Sequence, residues 1–251
     1  MNPSHPQARA AVAGPTSTAL RLAGRDALAV LHRISTQFLS DLGAGEQRFT
    51  LFCDFRGRLL HRALVSRLAD QSIWLLRDDA PGAELAAFVD AHVFREEVRI
   101  EDLSDRRHEF GFPAAATDER ARIEAGRPRH GHEIREEFTP FEVGLAREVH
   151  LNKGCFTGQE ALMRLVTYDS VRRRLARVSG AGSTPSTPAP LRLAGDRAGV
   201  VTSALAVEDG WIGLAPLTSP AGAPGATPAL EDGGPITAVF PFPIERPLGL
   251  P

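Results

Sequence analysis

Alternating strand and helix patterns in the first hundred residues constrain the fold more than any other feature of this sequence. Strand-like runs occur at 20–22, 48–53, 59–68, 73–76 and 98–100. Apolar residues at helical spacing follow the first run over 27–38, and a second amphipathic helix begins after Pro81. An order of strand, helix, strand, strand, helix, strand is typical of the split βαβ arrangement of ferredoxin-like units. We therefore predict an α+β fold that begins with such a unit.

The remainder of the chain predicts two further parts. The pattern changes at residue 108, where turns and short helices replace the alternation. Beyond residue 172, short β-like pieces separated by Gly and Pro indicate a small antiparallel β-barrel. The predicted organisation is a disordered tail over 1–17, a ferredoxin-like part over 18–107, a central α/β part over 108–171 and the barrel over 172–251.

Composition and charge exclude several classes of protein. The chain has 251 residues with 43% hydrophobic and 24% charged residues, which is ordinary for a soluble globular protein. A net charge of -2 provides no overall basic field for nucleic acid. No run approaches the roughly 18 apolar residues that a membrane span needs, and the N-terminus lacks the apolar core of a signal peptide. We therefore expect a cytoplasmic protein without membrane partners.

Cysteine and histidine spacings predict no metal site. Cys53 and Cys155 are too far apart in sequence to form a disulfide framework or a metal-binding pair. His130 and His132 lack a third ligand at a recognisable spacing, so their loop is interpreted as solvated. His32 falls off the apolar stripe of its helix and is also expected to face solvent.

The stretch from Asn152 to Glu160, with the sequence NKGCFTGQE, is the strongest functional signal. Gly154 and Gly158 flank Cys155 and allow backbone conformations that other residues resist. Helix-forming residues follow, and Thr157 is a candidate N-cap for that helix. A thiol just before a helix and beside a lysine favours the reactive thiolate. The alternative is that Cys155 is a small buried apolar residue, as most free cysteines are.

The segment from Lys153 to Glu160 resembles the signature of the YgfZ-type folate-binding proteins, which are relatives of the glycine-cleavage aminomethyltransferase, the T-protein. Supporting similarities lie at 54–58, 122–126, 139–142 and 198–203. The resemblance implies three parts arranged around a central channel that binds tetrahydrofolate, with a C-terminal barrel. It also implies a role in assembling or maintaining iron–sulfur enzymes, so those enzymes or their assembly machinery are the expected partners. Bacterial members of the family are also associated with tRNA modification.

The same resemblance implies particular site residues. Cys155 becomes the functional thiol, and Glu124 matches the acid that contacts the pterin, because a carboxylate can accept two parallel hydrogen bonds from the pterin N–H edge. The further folate contacts that we predict are Lys153, Gly154, Gln159, Glu160 and Arg164. The alternative for Glu124 is an exposed acid at a helix end, paired with Arg120 or Arg127.

Two departures from the T-protein pattern leave the activity open. His61 and Arg62 occupy the positions of a pair of aspartates, one of them catalytic, and a cation there would oppose a developing iminium. Phe156 replaces the usual Tyr. The leading hypothesis is therefore a folate-binding accessory protein rather than an aminomethyltransferase. A folate-dependent transferase or demethylase is one alternative, and a nucleic-acid or protein-binding module is another. The latter would use the basic face predicted for the strand carrying Arg172, Arg173, Arg174 and Arg177.

Overall fold

The structure, a computed structural model, describes residues 17–112 and 118–250. The first part contains β1 (Thr18–Ala23), α1 (Ala27–Ile34), β2 (Gln47–Cys53), β3 (Leu59–Arg67), β4 (Ile73–Arg77), α2 (Ala83–Asp90) and β5 (Arg99–Asp102). Two helices follow in the middle of the chain, α3 (Glu119–Glu124) and α4 (Gln159–Thr167). The C-terminal strands are β6 (Arg173–Gly180), β7 (Ala189–Leu193), β8 (Asp196–Val201), β9 (Ser203–Val207), β10 (Gly210–Thr218), β11 (Ala229–Leu230) and β12 (Ile236–Pro241).

The first sheet has the order β2-β3-β4-β1-β5, and every neighbouring pair is antiparallel. Strand β4 shows why the sheet is buried on both faces. Its side chains alternate, so that Ile73 and Leu75 join the core with α1 and α2, whereas Trp74 packs on the other face against Phe110 and Phe112. The five strands match the five strand-like runs of the sequence, so this part has seven elements, one more than the six of a split βαβ unit.

The second sheet has the order β11-β7-β8-β10-β6-β12, and β9 also pairs with β10. All of its ladders are antiparallel, and it curls into a half-barrel around a core that contains Trp211. The α+β class and the C-terminal antiparallel sheet predicted from sequence are thereby confirmed.

The chain between the two sheets is held by buried contacts more than by regular structure. Phe138, Val149 and Leu162 form one core with Leu51 and Leu59 of the first sheet.

In the described parts of the chain, no helix is both long enough and apolar enough to cross a membrane. The predicted boundaries between the four parts stay predictions, and the tail over 1–16 lies outside the described residues.

A buried carboxylate joins the central segment to the second sheet. Glu133 is completely buried and accepts hydrogen bonds from Arg122 Nη1 at 3.2 Å and from Ser203 Oγ at 2.7 Å. Thr202 Oγ1 donates to the same carboxylate at 2.5 Å. Because a buried charge is tolerated only when it is paired and hydrogen-bonded, this network fixes how the central segment sits on the second sheet.

Candidate functional site

A cavity of about 830 Å³, named the central cavity, opens between β3, α2 and the segment 130–137. Its wall combines apolar side chains, two imidazoles, three carboxylates and one guanidinium. The lining residues are Leu59, Leu60, His61, Glu84, Phe88, His130, Gly131, Ile134, Arg135, Glu136 and Glu137. Small-molecule sites typically enclose about 300–1,000 Å³ and combine apolar walls with a few polar groups. The cavity therefore has the size and lining expected for a cofactor-sized molecule.

Two histidines stack in the wall of the cavity. The rings of His61 and His130 have centroids 5.6 Å apart and lie 24° from parallel. Arg77 Nη1 lies 3.4 Å from His61 Nδ1 and 3.2 Å from His130 Nε2. A guanidinium can only donate, so each of these ring nitrogens must accept. The hydrogen-bond network thus assigns the N–H to Nε2 of His61 and to Nδ1 of His130.

Both imidazoles are neutral at physiological pH. Burial and, to a smaller extent, the nearby charge of Arg77 lower the pKa of His61 to about 4. The same two causes lower the pKa of His130 to about 4. Arg77 is itself held in place, since its Nε donates to Thr18 Oγ1 at 2.9 Å. The site therefore offers two neutral rings, each of which keeps an N–H group that can donate a hydrogen bond without a change of charge.

Arg62 does not bring an uncompensated cation to this site. It binds Glu148 through two nitrogens, with Nη2 2.6 Å from Oε1 and Nε 2.8 Å from Oε2. Its guanidinium also lies 4.1 Å from the centroid of the Phe49 ring. His61 lines the cavity, whereas Arg62 is not among its lining residues. Its charge still helps to lower the pKa of His130 in the cavity wall, after burial and Arg77. The expectation that a cation at position 62 would oppose a positive charge in the site therefore stays a prediction.

Several cavity residues were not predicted from sequence as site residues. Phe88 packs edge-on against His61 with ring centroids 5.5 Å apart. Glu84 and Glu136 are exposed carboxylates at the rim. The loop that contains His130 was interpreted as solvated, but His130 is half-buried and its backbone N–H donates to Asp79 Oδ2 at 2.8 Å. A histidine in a loop has no periodicity to report burial, so only tertiary contacts reveal its position.

The loop 152–158 presents Cys155 to solvent between two buried anchors. Lys153 is 6% exposed, donates to the carbonyl oxygen of His32 and lies 5.3 Å from the centroid of the Phe156 ring. Phe156 is also buried, whereas Cys155 is exposed and free. Burial lowers the pKa of Lys153 to about 8. The alternative of a small buried apolar Cys155 is therefore wrong, whereas its role as a functional thiol stays a prediction.

His32 completes the anchor on the helix side. Its Nδ1 accepts from the Leu39 backbone N–H at 3.0 Å, which leaves Nε2 to donate to the Lys153 carbonyl oxygen at 3.1 Å. The ring and the backbone of His32 thus hold Lys153 from two sides. The expectation that His32 faces solvent is wrong, because its side chain packs against a segment 121 residues away in sequence.

Two glycines fit the loop against the turn 54–57. Gly158 has φ +85°, and a Cβ there would lie 2.4 Å from the Asp54 carbonyl oxygen. Gly57 has φ +73°, and a Cβ there would lie 2.9 Å from Leu162 of α4. Gly158 is also the N-cap residue of α4, so the prediction of Thr157 as N-cap is wrong. This close packing joins two of the segments that carry the family resemblance.

The remaining residues predicted to bind folate have other contacts. Gln159 Nε2 donates to the Leu151 carbonyl oxygen at 2.9 Å. Glu160 and Arg164 form an exposed pair at 2.6 Å and line a shallow groove on α4 together with Gln159.

Glu124 lies on α3 and pairs with Arg120 at 2.9 Å, as in the alternative considered from sequence. Neither Glu124 nor the predicted contacts Lys153, Gly154, Gln159, Glu160 and Arg164 line the cavity. Their folate contacts stay predictions.

The arginines of β6 do not form one free basic face. Arg173 lies 3.2 Å from both Glu137 and Glu142. Arg174 Nε donates to the Phe242 carbonyl oxygen, and Arg174 has the opposite strand parity from Arg173 and Arg177. The prediction of a single basic face is wrong.

Comparisons with known proteins agree with this architecture. Residues 14–113 match the GCVT N-terminal domain. The crystal structure of the glycine cleavage system aminomethyltransferase T from Bartonella henselae superimposes with a TM-score of 0.72, over 93% of this chain and 84% of that chain. The chain is thus similar in sequence to the GCVT N-terminal domain over less than half of its length, and similar in fold to that aminomethyltransferase. At 18% identity the structural likeness shows the fold alone.

Two relatives each match about a third of the chain. A putative chloroplastic transferase of Arabidopsis thaliana is 41% identical over 86 residues, which is 34% of this chain and 19% of that protein. An aminomethyltransferase of Moorella thermoacetica is 40% identical over 83 residues, or 33% of this chain and 22% of that protein. The matched segment thus spans about a fifth of the length of each relative.

Proposed function

We propose that this protein binds tetrahydrofolate in the central cavity and uses Cys155 as a functional thiol in the assembly or repair of iron–sulfur enzymes, as a YgfZ-type protein. The observation that carries the proposal is the exposed Cys155, held between the buried anchors Lys153 and Phe156. Positions 61 and 62, which carry aspartates in the resembling transferases, here place a neutral imidazole in the cavity and a paired arginine outside it.

The cavity residues fit tetrahydrofolate by size and by chemistry. The rings of His61 and Phe88 provide flat surfaces for an aromatic ligand. Glu84 and Glu136 provide acceptors for the N–H edge of a pterin. Arg135 Nε is buried and has no hydrogen-bond partner among the described residues. A buried donor without a partner is costly, and an acceptor on the ligand would satisfy it. When bound, tetrahydrofolate supplies nitrogen atoms that can carry one-carbon groups.

The sequence-based contacts enter the proposal as a testable alternative to the rim carboxylates. If Glu124 contacts the pterin, Glu124→Gln should weaken tetrahydrofolate binding, measured by isothermal titration. If the rim carboxylates accept the pterin edge instead, Glu136→Gln should weaken it while Glu124→Gln leaves it unchanged. Lys153, Gly154 and Gln159 would then contribute by fixing the loop, since the side chains of Lys153 and Gln159 already bind the protein backbone.

The thiol role is tested by complementation of a strain that lacks the protein. Cys155→Ser should abolish rescue of iron–sulfur enzyme activity and leave tetrahydrofolate affinity within about twofold, because Cys155 does not line the cavity. Cys53 provides an internal control for thiol labelling, since it is buried and burial raises its pKa. Equal rescue by the serine variant would reject the thiol role, and absence of tetrahydrofolate binding would reject the ligand.

A second candidate, a folate-dependent transferase or demethylase, is favoured by the position of His61. The neutral His61 ring in the cavity wall keeps an N–H on Nε2 that can donate a hydrogen bond to a bound donor amine. This candidate predicts turnover of a one-carbon donor with added tetrahydrofolate, slowed by His61→Ala. No turnover across a panel of donor amines would reject it.

We propose that any effect on tRNA modification is indirect and acts through iron–sulfur enzymes. The arginines of the 172–177 strand do not form one basic face, because Arg173 is shared by two carboxylates and Arg174 has the opposite strand parity from Arg177. Direct binding would give a salt-dependent shift of tRNA in a gel, with a slope set by the phosphates contacted. Such a shift, lost in Arg174→Ala, would contradict this part of the proposal.

A further inference from the structure

Arg77 is a buried cation whose hydrogen-bond partners are all neutral groups. Its side chain is 6% exposed. Its Nε donates to Thr18 Oγ1 at 2.9 Å, and its Nη2 donates to the Pro81 carbonyl oxygen. Its Nη1 lies 3.4 Å from His61 Nδ1 and 3.2 Å from His130 Nε2. The two imidazoles of the cavity wall are therefore the groups through which this charge reaches the central cavity.

Carboxylates offset the charge of Arg77 only from a distance. Burial lowers the pKa of Arg77, and the charges of Asp79, Glu84 and Asp102 act in the opposite direction. None of these three carboxylates forms an ion pair with the guanidinium. Hydrogen bonds in a chain polarise one another, so the cation draws electron density toward the nitrogen that accepts from it. The N–H on the other nitrogen of each ring becomes a stronger donor.

Each ring keeps one N–H group that no described protein group uses. The guanidinium only donates, which assigns the proton to Nε2 of His61 and to Nδ1 of His130. The backbone N–H of Arg62 also donates to His130 Nε2 at 3.3 Å and favours the same tautomer. Within residues 17–112 and 118–250, neither free N–H has a hydrogen-bond partner, and neither nitrogen is a buried atom. Because both residues line the central cavity, we conclude that the two N–H groups open onto it.

The stacking of the rings places the two donors side by side. The ring planes are 24° from parallel, and both rings contact the same Nη1 atom of Arg77. The free N–H of each ring therefore lies on the edge that faces away from the guanidinium. Phe88 packs edge-on against His61 and helps to hold that ring. Two adjacent groups that donate and cannot accept match a ligand atom that only accepts.

The charges of the wall favour a neutral acceptor over an anion. Glu84 and Glu136 line the central cavity and form no ion pair with any residue that the structure describes. Arg135, the guanidinium among the lining residues, lies 2.5 Å from the Glu137 carboxylate. The unpaired charge of the wall is therefore negative, and it opposes the binding of an anion. A carbonyl oxygen accepts hydrogen bonds without carrying a charge.

We propose that His61 and His130 form a pair of N–H donors that binds a ring carbonyl of the ligand, and that Arg77 is the positioning residue that sets their tautomers. The class of ligand is a planar, neutral heterocycle with a carbonyl group, such as a lactam. This inference rests on the proposed function where it identifies that carbonyl as the 4-oxo group of the pterin. A ligand with an amino group in the same place would bring a donor against two donors, and the site rejects it.

The role of Arg77 is tested by nitrogen-15 NMR of the imidazoles at pH 7. His61 should carry its proton on Nε2 and His130 on Nδ1, whereas the exposed His108 should show the ordinary mixture of tautomers. In Arg77→Met, His61 should change to a mixture. Arg25→Ala removes an exposed arginine and should leave both rings unchanged. A loss of stability without a change of tautomer would show that Arg77 is merely structural, and a proton on His61 Nδ1 in the wild type would overturn the inference.

The donor role of His61 is tested with variants at the cavity end, which leave the buried Arg77 in place. Isothermal titration compares tetrahydrofolate with tetrahydroaminopterin, which has an amino group instead of the 4-oxo group. The wild type should prefer tetrahydrofolate by roughly tenfold or more, because a donor facing a donor is left unpaired. His61→Gln keeps an N–H donor and should retain this preference, whereas His61→Phe keeps a ring without a donor and should lose most of it. Equal affinities in the wild type, or the same preference in both variants, would overturn the donor pair.

A carbonyl compound outside the folate class separates this inference from the proposed function. 1-Methyl-2-pyridone has a ring carbonyl and no donor, and toluene is a planar control without the carbonyl. The pyridone should shift the N–H proton resonances of His61 and His130, and toluene should not. If the pyridone shifts them and tetrahydrofolate does not bind, the donor pair stands and the folate proposal fails. If tetrahydrofolate binds without shifting them, the folate proposal stands and the donor pair fails. If neither carbonyl compound shifts them, the donor pair is overturned.

Discussion

His61 and His130 stack with their ring centroids 5.6 Å apart, although 69 positions separate them in the chain. A single guanidinium, that of Arg77, lies against one nitrogen of each ring. Because the positive charge of Arg77 lies beside both neutral rings, it opposes the protonation of either one.

The first prediction concerns the titration of this pair. Because burial and Arg77 lower the pKa of both rings to about 4, neither should titrate between pH 5.5 and 8. Ring resonances followed by NMR should shift with midpoints near pH 4, and ligand binding in the cavity should be flat over the neutral range. Midpoints near the ordinary value of 6.5 would contradict the geometry around Arg77.

The same pKa values give the sign of a stability effect. In the unfolded chain the two histidines take up protons as the pH falls through about 6.5, whereas in the folded protein they do so only near pH 4. The free energy of unfolding should therefore decrease as the pH falls from 6.5 to 4. In His61→Gln this decrease should be smaller than in the wild type, as measured by urea denaturation at a series of pH values.

A second prediction compares the two glycines that flank Cys155. Gly158→Ala should lower the free energy of unfolding by about 3 kcal/mol, because strain at positive φ adds to the contact with the Asp54 carbonyl oxygen. Gly154→Ala is the matched control, since its φ is +100° but a Cβ there meets nothing within 4 Å. It should cost about 1 kcal/mol from backbone strain alone. Equal losses in urea denaturation would show that the fit against the 54–57 turn is unimportant.

The sequence predicted the parts of the fold that depend on local periodicity. The strand at 48–53 is observed at Gln47–Cys53, because alternation reports which side chains face a core. The resemblance also identified position 61 as a site position, and His61 does line the cavity. Burial of a side chain against a segment that is distant in sequence leaves no periodic pattern of apolar residues to predict it from. His32 and His130 were therefore predicted to be solvated, although one anchors the 152–158 loop and the other lines the cavity.

A third prediction concerns the partner of Arg62. Arg62→Ala should lower the free energy of unfolding by about 2 kcal/mol, because it leaves the largely buried Glu148 carboxylate without its two-point partner. The double variant with Glu148→Ala should recover part of that loss, since no unpaired charge stays behind. Arg106→Ala, which removes an exposed arginine, should cause no measurable change. Equal effects of the two single variants would contradict the pairing.

The last prediction concerns the buried Lys153. Burial lowers its pKa to about 8, whereas an unfolded lysine keeps its proton up to about 10.5. Between these values the unfolded chain binds more protons than the folded protein, so this residue should make the protein more stable as the pH rises from 8 to 10.5. Lys153→Met keeps the length of the side chain but cannot titrate. Relative to Lys153→Met, the wild type should therefore gain unfolding free energy as the pH rises through that window, as measured by urea denaturation. A difference independent of pH would show that Lys153 titrates normally, and would undermine the picture of Cys155 held on a buried lysine anchor.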